Sequence, residues 1–195
     1  MKFIESICLA NGELRNLDWH QRRLEFTTLA HYGYSVRIDL ATQLARRAFP
    51  AVGLFKLRVT YARELESIDV DPYLRRPVQR LELVEADGLD YRFKYADRHE
   101  LDALRQNLAI GCQPIIAQHG CGADATYANV CLFDGQRWLT PEKPLLAGTA
   151  RAAALSAGEI FPAVITAQDF RAGKYAKLKL INAMNIFSEA QEIFL

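Results

Sequence analysis

The chain reads as an α+β protein: helical and hairpin patterns occur in mixed order rather than in strict strand and helix alternation, half of its 195 residues are hydrophobic, and turn signals at Ala10-Asn11-Gly12 and Asp134-Gly135 separate strand patterns. This length can bury a sizeable core, in one large domain or two small ones. Formal net charge is +1, from 24 Lys and Arg against 23 Asp and Glu, so no global field draws the chain to nucleic acid or to an anionic membrane. Small molecules and proteins are the expected partners.

Glu5 interrupts what would have to be the apolar part of a signal peptide, and no apolar run approaches membrane-spanning length, so a cytoplasmic location is expected. Cys8, Cys112, Cys121 and Cys131 never form a C-x-x-C pair, which predicts reduced thiols. His119 and Cys121 suggest a metal only until partners are sought: His20, His31 and His99 stand at no matching spacing, and no metal is expected.

Residues 2 to 9 alternate as a strand, and Glu13 to Leu17 resumes as a second short one, which predicts a hairpin. Asp18 is the expected cap of a helix that stops at Gly33, and a second helix is expected from Leu40 to Phe49, before Pro50. Gly53 to Ala62 reads as a strand with Lys56 and Arg58 on one face, and Val78 to Val84 as another. Residues 85 to 93 lose periodicity and make the best linker, giving expected domains at 1–86 and 87–195. Beyond it, a helix capped by Asp97 runs to about Leu108. Strands follow at 113–118, 126–133 and 137–140, then a helix from Gly148 to Ala157, then strands at 162–166 and 176–182.

Three places carry chemistry. Asp124 lies five residues before Asn129 at a strand start, where a buried carboxylate would need a cationic partner; exposed, the same pair is a loop acid and a strand-edge amide. Gly148-Thr149-Ala150 opens a helix whose backbone N–H groups suit a phosphate, with Arg23 as a candidate clamp, although most helix starts bind nothing. Lys94 sits between Phe93 and Tyr95, where partial desolvation would make its amine nucleophilic, unless it is a snorkelling surface lysine.

In order and spacing these segments resemble the fold-type IV pyridoxal 5'-phosphate (PLP) enzymes, or class IV aminotransferases. The family includes branched-chain and D-amino acid aminotransferases and 4-amino-4-deoxychorismate lyases. IESICLANGELRNLDWHQRRL (residues 4–24) is similar to the family's opening and its H-x-x-R-L segment, and RFKYADRHELDAL to the cofactor-lysine segment. DATYANVCLFDGQRWLTP is similar to the segment that runs from glutamate through N-hydrophobic to TP. LLAGTAR resembles the phosphate turn, and KLKLINAMNIF the late "NA" strand of the lyases.

The resemblance implies a two-domain, D-amino acid aminotransferase-like fold, shortened at the N-terminus, and a homodimer. It implies that Lys94 forms the Schiff base with PLP and then shuttles a proton, and that Asp124 faces the pyridine nitrogen where the family has glutamate. It assigns the cofactor phosphate to Arg23, Thr149 and Ala150, with Gly148 allowing close approach and Asn129 beside the acid. Arg58 and Lys56 fall near the substrate carboxylate, and His99 near the cofactor hydroxyl. The implied activity is that of an aminodeoxychorismate lyase, releasing pyruvate to give 4-aminobenzoate for folate synthesis. An aminotransferase for branched-chain or D-amino acids, or a PLP-binding paralogue without turnover, is the alternative.

Overall fold

The computed structural model describes residues 1–75, 77–106, 108–109 and 111–195. They divide into two compact units, Met1–Arg75 with Phe93–Asp97, and Arg76–Arg92 with Arg98–Leu195. The boundary expected at residue 86 falls one residue past a strand that belongs to the second unit, and a five-residue segment around Lys94 returns to the first.

The first unit begins with β1 (Phe3–Ala10) and β2 (Glu13–Leu14), paired antiparallel as the hairpin pattern predicts. α1 follows at Leu17–Tyr32, α2 at Leu40–Ala45, then β3 (Leu54–Tyr61) and β4 (Leu65–Pro72). The sheet order is β2-β1-β3-β4. Alternation decides which residues face the core. Phe3, Ile7 and Leu9 of β1 lie in register with Tyr61, Leu57 and Phe55 of β3, and these pack with Leu24 of α1 and Leu40 and Leu44 of α2. Ser6, Cys8, Lys56 and Arg58 occupy the opposite face, so Lys56 and Arg58 do share a side.

Two helix boundaries differ from expectation. α1 is capped by Asn16 in the left-handed region (φ 55°), and Asp18 lies in its first turn, where its charge suits the helix N-terminus without capping it. α2 is capped by Asp39, which accepts from Thr42 N–H at 3.0 Å, and ends at Ala45 rather than running to Phe49. Gly33 closes α1 as expected, with φ 80°.

The second unit contains β5 (Arg80–Glu85), α3 (His99–Gln106), β6 (Cys112–Gln118), β7 (Cys121–Ala125), β8 (Asn129–Phe133) and β9 (Trp138–Pro141). It continues with α4 (Thr149–Ser156), β10 (Phe161–Ala163), α5 (Ala167–Arg171), β11 (Lys177–Ile181) and β12 (Ile193–Phe194). Its main sheet runs β10-β9-β8-β7-β6-β5, with β11 paired to β8 and to β12. β5 is parallel to β6, which assigns it to this unit. Of the run expected as a strand at 126–133, only Asn129–Phe133 forms one, β8; residues 126–128 are the turn of a hairpin with β7, which was not expected, closed by Ala125 N–H donating to Ala128 C=O at 2.9 Å. The expected extension of α3 to Leu108 passes through residue 107, outside the described residues. Ile115, Val130, Leu132, Leu178 and Leu180 form this unit's core.

Candidate functional site

The second unit holds Asp124, Asn129 and the start of α4. Asp124 and Asn129 are direct cross-strand partners in the β7–β8 hairpin, and both are buried. Asn129 Nδ2 donates to Asp124 Oδ1 at 2.9 Å and to Leu146 C=O at 2.8 Å, while Leu146 N–H donates to Asp124 Oδ2 at 3.0 Å. The amide thereby ties the acid to the chain just ahead of α4.

Burial pushes the Asp124 carboxyl up to about 7, against the opposing pull of Leu146 N–H, Asn129 and the Arg151 charge. Arg151 is itself buried; it donates to Pro141 C=O at 2.7 Å and to Thr140 Oγ1 at 3.2 Å. None of the groups that donate to Asp124 is a cation, and the Arg151 charge does not offset the burial, so the charged carboxylate is under-compensated where it sits. A protonated ring nitrogen supplies the kind of partner that such a group lacks.

Gly148 caps α4 in an extended conformation and offers no side-chain cap to the helix start. Its backbone would accept any residue, but space would not: a Cβ there would lie 1.8 Å from Asn129 Oδ1. Thr149 and Ala150, both buried, begin the helix, so their N–H groups point out of its positive end. The hydroxyl of Thr126, in the hairpin loop, is buried with no hydrogen-bond partner. An acid short of a cation, a helix start without a side-chain cap and an orphaned hydroxyl within one unit fit a group that is cationic at one end and anionic at the other.

The first unit holds Lys94, Arg23, Lys56 and Arg58. Lys94 is half-buried and held by its backbone: Ile4 N–H donates to Lys94 C=O and Ala96 N–H to Lys2 C=O, each at 2.9 Å. The flanking Phe93 and Tyr95 rings pack on Phe3, at centroid distances of 6.1 and 5.7 Å. Arg23 makes a bidentate ion pair with Glu5, Nε to Oε1 at 2.9 Å and Nη2 to Oε2 at 2.5 Å, and His20 Nδ1 meets Oε2 at 2.5 Å. Burial alone would raise the Glu5 carboxyl, but Arg23 and His20 hold it at about 2. Burial lowers the His20 pKa against the pull of Glu5, and the Lys94 charge lowers it further. At neutral pH His20 is therefore uncharged and donates Nδ1–H to Glu5.

Lys56 stands 3.9 Å from Asp71, and Arg58 lies in register with Ser6 on β1 and Asp69 on β4. His99 is exposed at the start of α3. Glu5, His20 and Arg151 were not anticipated. Glu5 carried a readable signal, because strand alternation puts it on the same face as Phe3 and Ile7, and His20 another, as the first residue of the H-x-x-R-L segment; Arg151 carried none. Among the described residues, no cluster of three or more His, Cys, Asp or Glu is arranged to hold a metal ion, and no helix is long and apolar enough to cross a membrane.

This architecture is that of the fold-type IV aminotransferases and lyases. The structure of a protein provisionally assigned as a 4-amino-4-deoxychorismate lyase from Haemophilus somnus superposes with a TM-score of 0.89 and 29% identity, covering 95% of this chain and 97% of that one. A fold IV transaminase from Curtobacterium pusillum (TM-score 0.69, 16% identity, 98% of this chain and 78% of that one) shares the fold. So does the PLP-bound form of a hypothetical aminotransferase from Mycobacterium tuberculosis (TM-score 0.70, 18% identity, 98% and 79%). No family model matches the sequence. The chain belongs to the family of an uncharacterised Haemophilus influenzae protein, with which it is 31% identical over 183 residues, 93% of this chain and 96% of that protein.

Proposed function

We propose that the chain is a PLP-dependent enzyme acting on a small amino-acid-like substrate, with the lyase reaction that converts 4-amino-4-deoxychorismate to 4-aminobenzoate and pyruvate as its activity. The observation that carries the cofactor reading is the buried Asp124 carboxyl, its pKa raised by desolvation, fixed by Asn129 of β8 and by Leu146 on the short stretch that leads into α4. When bound, the cofactor supplies an electron sink at its protonated ring.

The protein's own residues divide the remaining work. Lys94 is the amine that holds the cofactor covalently and carries a proton at Nζ. Asp124 keeps a proton on the ring nitrogen, Arg23 and the N–H groups of Thr149 and Ala150 take the phosphate, and Gly148 lets it approach. Asn129 acts through Asp124, since both N–H donors of its amide are engaged by Asp124 and Leu146. Arg58, with Lys56 beside it, orients a substrate carboxylate, for which a planar guanidinium is the better match. A second copy of the chain is the expected partner.

The preference for a lyase rests on the Haemophilus somnus relative and on the segment INAMN. Part of that segment has a local explanation: Asn182 Oδ1 accepts from Met184 N–H at 2.8 Å and from Asn185 N–H at 3.0 Å, which holds a tight turn at the end of β11. Transamination uses the same Lys94 and Asp124, and the fold IV transaminase among the similar structures keeps it as the second reading.

One experiment separates these readings. The PLP-loaded protein is given aminodeoxychorismate, and separately an amino acid with a 2-oxo acid; pyruvate with 4-aminobenzoate from the first supports the lyase, and amino-group exchange in the second alone supports the transaminase. Borohydride reduction of the same sample should place a pyridoxyl mass on the peptide containing Lys94. A label on Lys56, Lys174, Lys177 or Lys179 instead would displace the whole assignment.

A further inference from the structure

We propose that Glu5 and His20 form a positioning device for the Arg23 guanidinium, fixing its plane and direction so that it meets a phosphate ready-oriented. The inference rests on the reading of Arg23 as a phosphate ligand.

A carboxylate is an unusual residue at the position of Glu5. It lies on the core face of β1, fully buried between Phe3 and Ile7 on the same strand face, in register with Val59. Replacing a buried ion pair by well-packed apolar residues is often neutral or stabilising, so an apolar residue would serve the sheet as well. The geometry around Glu5 is instead that of a clamp. Its two oxygens receive Nε and Nη2 of Arg23, the fork-to-fork arrangement that fixes a guanidinium in a plane. His20, also fully buried, meets the oxygen that takes Nη2.

His20 and Arg23 stand three apart on α1, so one helix face brings both to the same carboxylate. Arginine is a long side chain with many rotamers, and an unheld one must be ordered when an anion binds. Here the ordering is built in before binding. The arrangement has a cost in field strength, because Glu5 offsets the Arg23 charge. The gain is therefore one of direction, and it should act on the phosphate end of a ligand alone.

That selectivity supplies the test. Full-length wild type, Glu5→Gln, Glu5→Asp and Arg23→Lys are titrated with PLP and with pyridoxal, which lacks the phosphate, after circular dichroism has shown each variant folded. Glu5→Gln should weaken PLP roughly tenfold and leave pyridoxal unchanged, because only one oriented charge-assisted contact is lost. Glu5→Asp keeps the charge on a shorter stem and should recover part of the loss, and Glu5→Gln should add nothing on the Arg23→Lys background. Equal weakening of both ligands, or unchanged PLP affinity in Glu5→Gln, overturns the proposal. If Glu5→Gln does not fold, Glu5→Asp decides by the same comparison. Unchanged PLP affinity in Arg23→Lys removes the phosphate assignment of Arg23, whereas a loss there without a loss in the Glu5 variants removes only the positioning role.

Discussion

The side-chain amide of Asn129 occupies the space that any Cβ on Gly148 would need, meeting it at 1.8 Å from Oδ1. The same amide spends both donor hydrogens on Asp124 and Leu146. The acid and the start of α4 are thus held by one side chain, and neither can shift without it.

Gly148→Ala should therefore destabilise the protein by about 2 kcal/mol, through overpacking and the breaking of a buried hydrogen-bond network, and should weaken cofactor binding at the same time. Asn129→Ala in the Gly148→Ala background removes the obstacle. The double variant should then be more stable than the sum of the single losses predicts, by denaturant titration of all four proteins. Simple additivity would mean that the glycine yields by moving the backbone instead.

The Asp124 carboxyl should leave a mark on stability against pH. Its folded value of about 7 lies above the ordinary 3.8, so between these limits the folded chain binds more protons than the unfolded one, and stability falls as pH rises from about 4 to 7. Glu5 acts in the opposite sense and elsewhere: held at about 2 against an ordinary 4.5, its contribution is complete above that ordinary value and is lost as pH falls toward 2. Melting of the cofactor-free protein across these ranges should show both slopes. Asp124→Asn should abolish the upper one, whatever its absolute stability.

Thiol chemistry reports on the same burial. Cys121 is exposed, whereas Cys8, Cys112 and Cys131 are buried, and desolvation, with the Asp124 charge, pushes the Cys131 thiol up to about 12. Iodoacetamide at mildly alkaline pH should alkylate Cys121 first in the native protein, and Cys131 only after unfolding, as peptide mapping over time would show.

If Arg58, on the opposite face of the first sheet, seats a substrate carboxylate as proposed, Arg58→Ala should raise KM by about tenfold with a smaller change in kcat. Lys56→Ala should do less, since Asp71 stands 3.9 Å from its ammonium. Equal effects would point to a general field and not to a guanidinium seat.

What the sequence made legible was local. The β1–β2 hairpin follows from the Asn11-Gly12 turn, both of whose residues take positive φ, and the end of α1 follows from Gly33. β4 escaped because LESIDVDP, an edge strand, is exposed over its last four residues and shows no clean alternation. β7 was missed because the expected strand began at residue 126, past Asp124, and the single registered pair that joins β7 to β8 consists of two polar residues, Asp124 and Asn129, which give no apolar signal for a hairpin. Contacts between residues far apart in sequence were invisible in kind: Glu5 meets His20 and Arg23 at separations of 15 and 18 residues, and Arg151 reaches back to Thr140 and Pro141. The same holds for β5, whose allegiance depends on a parallel partner beginning at Cys112.

The return of Phe93–Asp97 to the first unit has a consequence during synthesis. Phe3 bridges Tyr95, so the opening of the first strand waits for a partner 92 residues later in the chain. At ribosomal speeds of roughly 5 to 20 residues per second, that interval lasts on the order of 5 to 20 s. Throughout it the nascent chain exposes the start of that strand with both sides unpaired until Tyr61 emerges and one side unpaired thereafter, in the company of other emerging chains. A fragment ending at residue 86 would remain in this condition indefinitely, and would lack the lysine as well.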